Sequence, residues 1–548
     1  MHGRMMGWLG LAGLLAAAPA LAFDEAGLRE RLQARLANDR SGACVLAAVI
    51  KEASIVRAGF CARPDATPPG FDSAFEIGSV SKTMTAFLVA DLVAQGRWSL
   101  DDPIARHLPA GTPSPRFAGE PERQILVRDL LTHGSGLPAL PARLGAVSEA
   151  EPYARLGEAD LLASLGEVKL TRPIGSRSEY SNFGMMLVSL AVARELGGDL
   201  EAALRARLFE PLGMKNAYIA KPPPAAEAVQ GHLPTGAATP AWTVSPNLAG
   251  FGMVRASLDD MQRYAQAQLL LAETPLGQRM RLTQQPLAHG YGMNWVLARI
   301  KDRSVVLHEG ATGGFSSLLA LDPAARRAVV LLADTSLANL GGLGDLGLPL
   351  LIPDLPLGKP RQTRPAPPEL RQALAGDYLV MGTPVRIWIE ADGRLMWQDP
   401  GQGVLELLYD SRGDFYPAAG SATLRPLDDE RPVRRFVWRQ GGGLLEGQRL
   451  GSPSLLTASN PLWKDWAGEY QIAPRFSLRV FEREGRLMLQ GTGQPAIAAE
   501  VSGPDRIEVK AVGALLEFQR NDKGEVAGAT LRQGGQVLSG PKAGAGQP

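Results

Sequence analysis

The chain has 548 residues, a formal net charge of +1, 45% hydrophobic residues and 21% charged residues. This length exceeds what one hydrophobic core serves, so several domains are expected, and the 62 glycines and 42 prolines indicate a soluble globular protein rich in turns. The balanced charge and the absence of any Lys/Arg-rich run exclude a general nucleic-acid-binding surface.

Residues 1–22 are predicted to be a signal peptide. The segment opens with MHGR, continues with the apolar run WLGLAGLLAAAPALA, and ends in small residues at Ala20 and Ala22 that suit cleavage before Phe23. The apolar run is too short to span a bilayer, and no later segment approaches 18 uninterrupted apolar residues. We therefore expect a periplasmic or secreted protein without a membrane span.

An amphipathic helix over residues 24–38 is followed by a strand hairpin with a cysteine at each end. If Lys51 pairs with Ser54 across a two-residue turn, every facing pair has the same index sum, and Cys44 faces Cys61. In an oxidising compartment this pairing predicts a disulfide. Two buried free thiols are the alternative, because bridges between directly facing strand residues tend to be strained.

Further helices are predicted over residues 80–95, 184–196 and 258–271, and the period changes near residue 304. The runs SVVLHEG, FSSLLALD and RRAVVLLAD are short, strand-like and joined by tight turns, which indicates an antiparallel meander. A hairpin, then helices, then a meander predicts an α/β or α+β layered domain over residues 23–352, whose sheet joins both ends of the segment.

The chain beyond residue 352 consists of a linker and an internal repeat. PDLPLGKPRQTRPAPP at 353–368 has six prolines in sixteen positions and no periodicity. The two stretches that start AGDYLV and AGEYQI, at Ala375 and Ala467, align without a gap at an offset of 92 residues, and RQGG recurs with a one-residue slip. Strand-like runs alternating with turns predict two small antiparallel β-barrel domains, over residues 369–455 and 456–548.

The stretch FEIGSVSKT carries a serine and a lysine three residues apart at the start of a predicted helix. At that spacing the Lys82 amine shares a helix face with the Ser79 hydroxyl, and a partly buried lysine loses enough pKa to take the serine proton. Two ordinary polar residues at a helix start are the alternative, since about half a Ser-x-x-Lys match is expected in this chain by chance.

Two further motifs favour the catalytic interpretation. SEYSNFGMM places Tyr180 and Asn182 before a helix, where a phenol assists proton transfer and an amide holds a substrate carbonyl. LHEGATGGFSS places His308 and Gly310 on one face of a strand, and the glycine is expected to let the substrate backbone approach closely. An aromatic packing residue, a helix cap and a structural histidine are the alternatives at these positions.

Ser-x-x-Lys, Tyr-x-Asn and a basic residue-x-Gly, in that order, resemble the serine penicillin-recognising superfamily. Within it the chain is most similar to the branch of class C β-lactamases, D-aminopeptidases and related esterases, with further landmarks in WSLDDPIARHLP, ILVRDLLTHGSGLP and GFGMVRASLDDM. The resemblance covers about residues 30 to 335. It implies a β-lactamase/transpeptidase-like catalytic domain, an antiparallel sheet flanked by helices, and D-aminopeptidases of the superfamily resemble this chain in carrying two β-barrels after that domain.

The same resemblance implies a role for each motif residue. Ser79 is the nucleophile, and Lys82 with Tyr180 forms the base system. Asn182 contacts the substrate. The backbone N–H groups of Ser79 and Ala311 form the oxyanion hole that holds the tetrahedral intermediate.

The strand motif departs from the β-lactamase pattern. His308, Glu309 and Gly310 stand where a β-lactamase has Lys-Thr-Gly, whose cation and hydroxyl hold the drug's carboxylate. An imidazole is a weaker, pH-dependent anchor near neutrality. Glu309 would repel a carboxylate and attract an amine if it faced the site, although strand alternation with His308 favours the opposite face. His-x-Gly is the version that D-aminopeptidases and several esterases of the branch carry.

No metal and no cofactor are expected, because none of the six histidines has metal-ligand spacing. The absence of a Gly-x-Ser-x-Gly elbow argues against an ordinary α/β-hydrolase. We predict an exported serine hydrolase that works through an acyl-enzyme on a small peptide or ester substrate, with D-amino-acid peptides or peptidoglycan fragments favoured. A carboxylesterase or weak β-lactamase of the same fold is one alternative. A catalytically idle cell-wall peptide-binding protein is the alternative from another class.

Overall fold

The computed structural model describes residues 24–543 with short gaps. The undescribed positions inside this range are 53, 146–149, 271–273, 381–382, 400–403, 419–421, 428–430, 441–442, 451–464, 474–475, 484–485, 493, 495, 504, 510–513, 522–524 and 534–535. The predicted signal peptide lies outside the described residues.

The first domain contains a six-stranded antiparallel sheet in the order β2-β1-β8-β7-β6-β5. The strands of this domain, with the separate two-residue pair β3 and β4, are β1 (Cys44–Lys51), β2 (Ser54–Cys61), β3 (Phe75–Glu76), β4 (Arg255–Ala256), β5 (Val296–Ile300), β6 (Arg303–Ala311), β7 (Ser316–Asp322) and β8 (Arg327–Ala333). β1 pairs with β8, so the hairpin and the meander join in one sheet, as the sequence predicts.

Helices cover both faces of this sheet. They are α1 (Glu25–Leu36), α2 (Ser81–Ala94), α3 (Val127–Leu131), α4 (Glu158–Glu167), α5 (Asn182–Glu195), α6 (Leu200–Leu204), α7 (Glu210–Leu212), α8 (Leu258–Leu270), α9 (Pro275–Thr283) and α10 (Gly344–Leu351). The four helices predicted from periodicity correspond to α1, α2, α5 and α8. Between the longer elements lie short 3-10 turns, of which Gly78–Val80 and Pro246–Phe251 contribute to the site described below.

The strands β1, β7 and β8 are buried on both faces, and successive residues of β1 enter two different cores. Leu46 and Ala48 face the larger core, which contains α2, α5 and α8. Val45 and Ala47 face the smaller core, which contains α1 and α10. α2 is buried on nearly all sides over residues 81–92, which agrees with its lack of a polar stripe. The larger core therefore holds the helix that follows Ser79 rigidly in place.

The predicted hairpin register is confirmed. Lys51 faces Ser54 and Cys44 faces Cys61. A disulfide joins Cys44 to Cys61, so the thiol alternative does not apply. The bridge closes the open end of the hairpin, next to the Cys44 N–H that donates to Asp334 Oδ1 at 2.8 Å.

The remainder of the chain forms antiparallel β structure, as predicted. After the short strand β9 (Thr363–Arg364) and helix α11 (Pro368–Leu374), eight strands form a closed barrel: β10 (Gly376–Val380), β11 (Thr383–Ile389), β12 (Leu395–Gln398), β13 (Leu405–Asp410), β14 (Phe415–Pro417), β15 (Thr423–Pro426), β16 (Arg435–Gln440) and β17 (Gly443–Arg449). Pairings of β10 with β17 and of β12 with β13 complete the closure.

The second repeat forms two antiparallel sheets, of four and five strands. Its strands are β18 (Gly468–Ala473), β19 (Phe476–Arg483), β20 (Arg486–Gly491), β21 (Ile497–Ala498), β22 (Glu500–Gly503), β23 (Arg506–Val509), β24 (Ala514–Arg520), β25 (Val526–Gln533) and β26 (Gln536–Pro541). A bridge between Tyr470 and Lys542 connects the first strand to the end of the last.

Equivalent residues of the two repeats make the same contacts. The buried Tyr378 donates its hydroxyl to Leu374 O at 2.8 Å, and Tyr470 donates to Trp466 O at 2.6 Å, four residues back in each case. The Arg449 guanidinium lies over the Tyr378 ring, and the Lys542 ammonium lies over the Tyr470 ring. The tyrosines are 92 residues apart and the cations 93, which reproduces the one-residue slip seen in the sequence.

Arg361, within the proline-rich segment 353–368, joins the first domain to the first barrel. Its backbone N–H donates to Asp39 at 2.7 Å, and one guanidinium nitrogen donates to Leu340 O at 2.9 Å. The other terminal nitrogen donates to Asp410 at 3.0 Å and to Asp414. We call these five residues the Arg361 clamp. The segment predicted as a linker is thus held at a largely buried interface.

Candidate active site

Ser79 lies in the 3-10 turn Gly78–Val80, which continues directly into α2. The turn is tied to the sheet from the side of β7, where Ser317 Oγ donates to Ile77 O at 2.7 Å. It is tied to the loop before β4 by the Ile77 N–H, which donates to Val254 O at 3.1 Å. Hydrogen bonds to two separate elements thereby fix the position of the serine at the helix start.

Two glycines allow this turn to contact β6 through the backbone. A side chain at Gly310 would begin 2.0 Å from Ile77 O and 2.4 Å from Ser317 Oγ. A side chain at Gly78, whose φ is +52°, would begin 2.5 Å from the Ala311 nitrogen. The expected reason for Gly310 was therefore wrong, because protein atoms from the nucleophile turn occupy the space that we assigned to the substrate. The glycine instead brings Ala311 close to the turn that carries Ser79.

Lys82 is fully buried and is the second residue of α2. Its Nζ lies 2.9 Å from Ser79 Oγ and 2.8 Å from Asn182 Oδ1, and it also contacts the backbone carbonyl of Phe251. Burial holds the pKa of Lys82 well below its ordinary value. Burial therefore favours the neutral form of the amine that contacts the serine oxygen.

Tyr180 contacts the serine from the other side. Its hydroxyl donates to Ser79 Oγ at 2.6 Å, although 40% of the residue is exposed along the cleft. Burial among the surrounding side chains raises the pKa of the phenol, and the hydrogen bond to Ser79 offsets part of this rise. Tyr180 is thus a neutral O–H donor. The Lys82 nitrogen lies 4.8 Å from the centroid of the Tyr180 ring, close enough for a cation–π contact when the lysine is protonated.

Asn182 is the first residue of α5, which Ser181 caps by accepting a hydrogen bond from the Gly184 N–H at 3.0 Å. In addition to Lys82, its side chain is hydrogen-bonded to Tyr153, a buried residue that the motif search did not select. Burial raises the pKa of Tyr153 to about 12. Its ring packs edge-on against Trp242 and Phe251, which together form an aromatic wall beside the lysine.

His308 is buried on β6 and lies on the side of the sheet that carries α2. Its Nδ1 lies 2.6 Å from the Glu309 carbonyl, an acceptor, so the ring proton is on Nδ1 and Nε2 is left as an acceptor. Nε2 is buried and has no hydrogen-bond partner among the described residues. Burial and the nearby Lys82 lower the pKa of His308 to about 4, so the imidazole is neutral at pH 7.

Glu309 occupies the opposite face of β6, as strand alternation favoured. Its carboxylate lies beside Gly342 and Gly344, near the start of α10. The carboxylate is therefore not positioned to attract or repel a substrate at Ser79.

Four residues near the site were not selected from the sequence: Phe251, Tyr153, Ser317 and His133. Phe251 contributes only a carbonyl, which no side-chain motif reveals. Ser317 and Tyr153 act through contacts that depend on distant segments meeting. His133 lies in the THGSGLP landmark, which marked it for attention but did not show that its ring stacks on Tyr180 at 4.5 Å.

Searches of the described residues for two other kinds of feature gave no result. No three His, Cys, Asp or Glu side chains are grouped so that they would hold a metal ion. None of the helices in the described part of the chain has the length and apolar character needed to cross a membrane.

Comparison with known proteins gave one family match. The model of the family described as Beta-lactamase matches residues 28–343, which is more than half of the chain. The match begins in α1 and ends just before α10, so it spans the whole six-stranded sheet.

Three curated proteins illustrate the range of similar chains. D-alanyl-D-alanine-carboxypeptidase/endopeptidase AmpH of Escherichia coli (strain K12) is 25% identical over 312 residues, covering 53% of this chain and 79% of AmpH. Esterase EstB of Burkholderia gladioli is 34% identical over 234 residues, covering 40% of this chain and 56% of EstB. Penicillin-binding protein 4 of Amycolatopsis lactamdurans is 28% identical over 393 residues, covering 65% of this chain and 98% of that protein.

Proposed function

This chain belongs to the β-lactamase family of serine hydrolases, and we propose that it cleaves small amide substrates through an acyl-enzyme on Ser79. The favoured substrates are D-amino-acid peptides or peptidoglycan fragments. The single observation that carries the proposal is the set of three hydrogen bonds made by the buried Lys82 amine.

The partners of Lys82 determine where its lone pair points. The Asn182 amide oxygen and the Phe251 carbonyl only accept hydrogen bonds, so both require an N–H from the lysine. A neutral amine has two N–H groups, and its lone pair is then left for the third partner, Ser79 Oγ, which alone has a proton to donate. The geometry therefore supports Lys82 as the general base that takes the serine proton.

Attack by Ser79 Oγ on the substrate carbonyl forms a C–O bond while the serine proton moves to Lys82. The Tyr180 ring, 4.8 Å from the lysine nitrogen, stabilises the ammonium formed in this step. When the C–N bond breaks, the leaving amine takes a proton from the Tyr180 hydroxyl, and Lys82 gives the proton it took from Ser79 back to the Tyr180 oxygen. In the second step Lys82 takes a proton from the attacking water. Ser79 Oγ regains that proton when its bond to the acyl carbon breaks and the acid is released.

The negative charge of the tetrahedral intermediate is assigned to the backbone N–H groups of Ser79 and Ala311. The support is the close contact between their two segments, which Gly78 and Gly310 allow because neither has a side chain. Donors held in place before the reaction stabilise the developing oxyanion without reorganisation.

The strand motif favours a substrate without a required carboxylate. His308 is neutral and offers an unpaired acceptor at Nε2, whereas a fixed cation would be needed to hold a carboxylate by charge. An acceptor at that position suits the N–H of an amide or the ammonium of a free N-terminus. These observations support small peptides as the first candidates and β-lactams as the last.

A carboxylesterase is the second candidate, and the similarity to EstB favours it. Esters need the same nucleophile, base and oxyanion hole, and their leaving group is an alcohol. A neutral site without a carboxylate anchor accepts such substrates as well.

Export is part of the proposal. The leader-like residues 1–22 and the Cys44–Cys61 disulfide both support folding in an oxidising compartment, the periplasm or the medium.

A fluorophosphonate probe tests the nucleophile. We expect stoichiometric labelling of the wild type and none of Ser79→Ala. The matched control is Ser176→Ala, which removes a surface hydroxyl bound to Pro173 O and should label like the wild type. An unlabelled wild type, or equal labelling of Ser79→Ala, would refute the acyl-enzyme mechanism.

Substrate class is tested by measuring turnover of D-Ala p-nitroanilide, a p-nitrophenyl ester and nitrocefin side by side. The proposal expects the anilide to have the highest kcat/KM and nitrocefin the lowest. Turnover of the ester alone would establish the second candidate, and turnover of nitrocefin alone would contradict both.

A further inference from the structure

His133 is a buried histidine that the proposed mechanism does not use. It follows α3 in the THGSGLP segment, is 1% exposed and has a left-handed backbone with a φ of +56°. Such a conformation is unusual for a histidine and requires support from the surrounding structure. The contacts of His133 explain what that conformation accomplishes.

The first contacts are to the main chain on both sides of Tyr180. The Glu179 N–H donates to the His133 carbonyl at 2.8 Å. The Ser181 N–H donates to His133 Nδ1 at 3.3 Å. One residue thus accepts from the peptide groups immediately before and after the tyrosine, and the left-handed backbone allows its carbonyl and its ring to do so together.

The second contact is to the tyrosine ring itself. The His133 ring lies against the Tyr180 ring with centroids 4.5 Å apart and a tilt of 38°. The Tyr291 ring also packs edge-on against the His133 ring, with centroids 5.4 Å apart. The Tyr180 ring, in a residue that is 40% exposed, is therefore supported by a buried side chain.

The hydrogen bond to Ser181 also requires a particular protonation state. Nδ1 accepts this bond only when it carries no proton, so the ring must be neutral with its proton on Nε2. Burial is the main cause that lowers the pKa of His133, to about 3. The ring consequently stays neutral at any pH at which the enzyme would work.

We propose that His133 is a positioning residue that holds the Tyr180 hydroxyl on Ser79 Oγ by gripping the backbone on both sides of the tyrosine and stacking on its ring. The inference rests on the proposed function, because it assigns a role toward the proton path through Tyr180. It does not make His133 a participant in proton transfer.

Two variants separate the contacts. His133→Phe keeps an aromatic ring for stacking and loses the acceptor for the Ser181 N–H. His133→Asn keeps an acceptor near the position of Nδ1 and tolerates the left-handed backbone, but loses the stacked ring. The matched control is His107→Phe, since His107 is also buried and stacks on Trp98 at 4.0 Å, but beyond the far end of α2.

The measurements are kcat and KM on the best substrate, the rate of fluorophosphonate labelling and the thermal unfolding midpoint. We expect His133→Phe to lower kcat and the labelling rate by about 10- to 100-fold, the cost of a displaced catalytic group, with KM within about threefold. If His133→Phe lowers kcat by about 100-fold, the kcat of His133→Asn should be at least about tenfold higher than that of His133→Phe. His107→Phe should lower only the unfolding midpoint.

Equal labelling rates and kcat for His133→Phe and wild type would overturn the role of His133, as would a loss confined to KM. If His133→Phe does not fold, His133→Asn decides, because full wild-type kcat in that variant would exclude any need for the ring. A wild type that does not label at all would instead refute the proposed function, so the two failures are distinguishable.

Discussion

Two buried cations of this protein, Lys82 in the first domain and Arg361 at the barrel interface, have opposite surroundings. Lys82 contacts a hydroxyl, an amide oxygen and a carbonyl, all of them neutral. Arg361 contacts two carboxylates, Asp410 at 3.0 Å and Asp414. Burial is nearly complete at both positions. The difference lies in the charge of the partners.

That difference determines what each cation does. Without a counter-charge, burial favours loss of the proton, and the pKa of Lys82 falls. Beside two carboxylates, the charge of Arg361 is retained, and the group acts as a structural link between two domains. Burial among neutral acceptors favours the neutral amine that the proposed base role of Lys82 requires, whereas burial among carboxylates keeps the charge with which Arg361 links two domains.

The largest expected effect comes from replacing Lys82 with a residue that always keeps its positive charge. Lys82→Arg should lower kcat/KM by about 1,000-fold, because a guanidinium does not lose its proton and cannot accept one from Ser79. Steady-state kinetics on the best substrate measures this. Arg361→Lys is the control, since it keeps a cation at the clamp and should leave kcat/KM within about twofold. A Lys82→Arg variant with a tenth of the wild-type activity would contradict the base assignment.

The clamp is tested by removing one of its carboxylates. Asp410→Asn leaves the charges of Arg361 and Arg40 without a shared partner, and should lower the free energy of unfolding by about 3–5 kcal/mol. Fluorescence of the stacked pair Trp397 and Trp438 in the first barrel reports that transition. A change under about 1 kcal/mol would show that the pair contributes little net stability.

The same carboxylate has a pH dependence whose sign can be worked out. Burial raises the pKa of Asp410, but Arg361 and Arg40 together with backbone N–H groups bring it below its ordinary value. A depressed pKa in the folded state contributes stability above the unfolded pKa, near 3.9, and that stability is lost as pH falls through the folded value. The clamp should therefore be intact at pH 5, and acid titration of wild type against Asp410→Asn measures this.

The pH profile of kcat/KM distinguishes the lysine from the histidines. The Lys82 amine works when neutral, so activity should fall tenfold per pH unit below its pKa, which burial places well under the ordinary 10.5. With pKa values of about 4 and about 3, His308 and His133 are neutral through this range. His308→Gln should therefore keep the acid limb at the same pH. If the acid limb of the kcat/KM profile moves to another pH in this variant, the limb reports titration of His308 and not of Lys82.

The smallest effect is expected at Glu309. Glu309→Gln should change kcat/KM by less than about twofold for substrates with and without a free amine, because the carboxylate lies on the α10 side of β6. Kinetics on a matched pair of such substrates measures the ratio. A selective loss of more than about tenfold for the amine substrate would show that the carboxylate reaches the site.

The strands, the hairpin register and the repeat were predictable because they depend on local patterns. Alternation and turn residues are read from residues close together in the sequence, and they predicted that Cys44 faces Cys61. The repeat was found from its constant offset. A bond between those sulfurs was predicted only for an oxidising compartment, and two thiols stayed open as the alternative because a facing pair is compatible with both. The Arg361 clamp was missed for a similar reason, since a proline-rich segment has no pattern that reveals a partner.

Within the site, motif order and spacing indicated the polar side chains and the contact of Lys82 with Ser79, but not the contacts of Gly310 and of the Phe251 carbonyl. Four residues were selected together: Ser79, Lys82, Tyr180 and Asn182. In the structure Lys82 is hydrogen-bonded to Ser79 and to Asn182, and Tyr180 is hydrogen-bonded to Ser79. The reason given for Gly310 was wrong because a missing side chain does not say which atoms fill its space. Whether these residues act as proposed is for the labelling and kinetic experiments.

The sequence by itself determined the family, the layered domain and the internal repeat, and it selected the residues to which we assign the chemistry, because each is written in spacing and order. Only the tertiary structure decided that Lys82 has neutral partners, that Glu309 faces away and that His133 holds Tyr180. These features depend on backbone carbonyls, strand faces and packing between segments far apart in the chain, and burial acts on a pKa only once the chain has folded around the group.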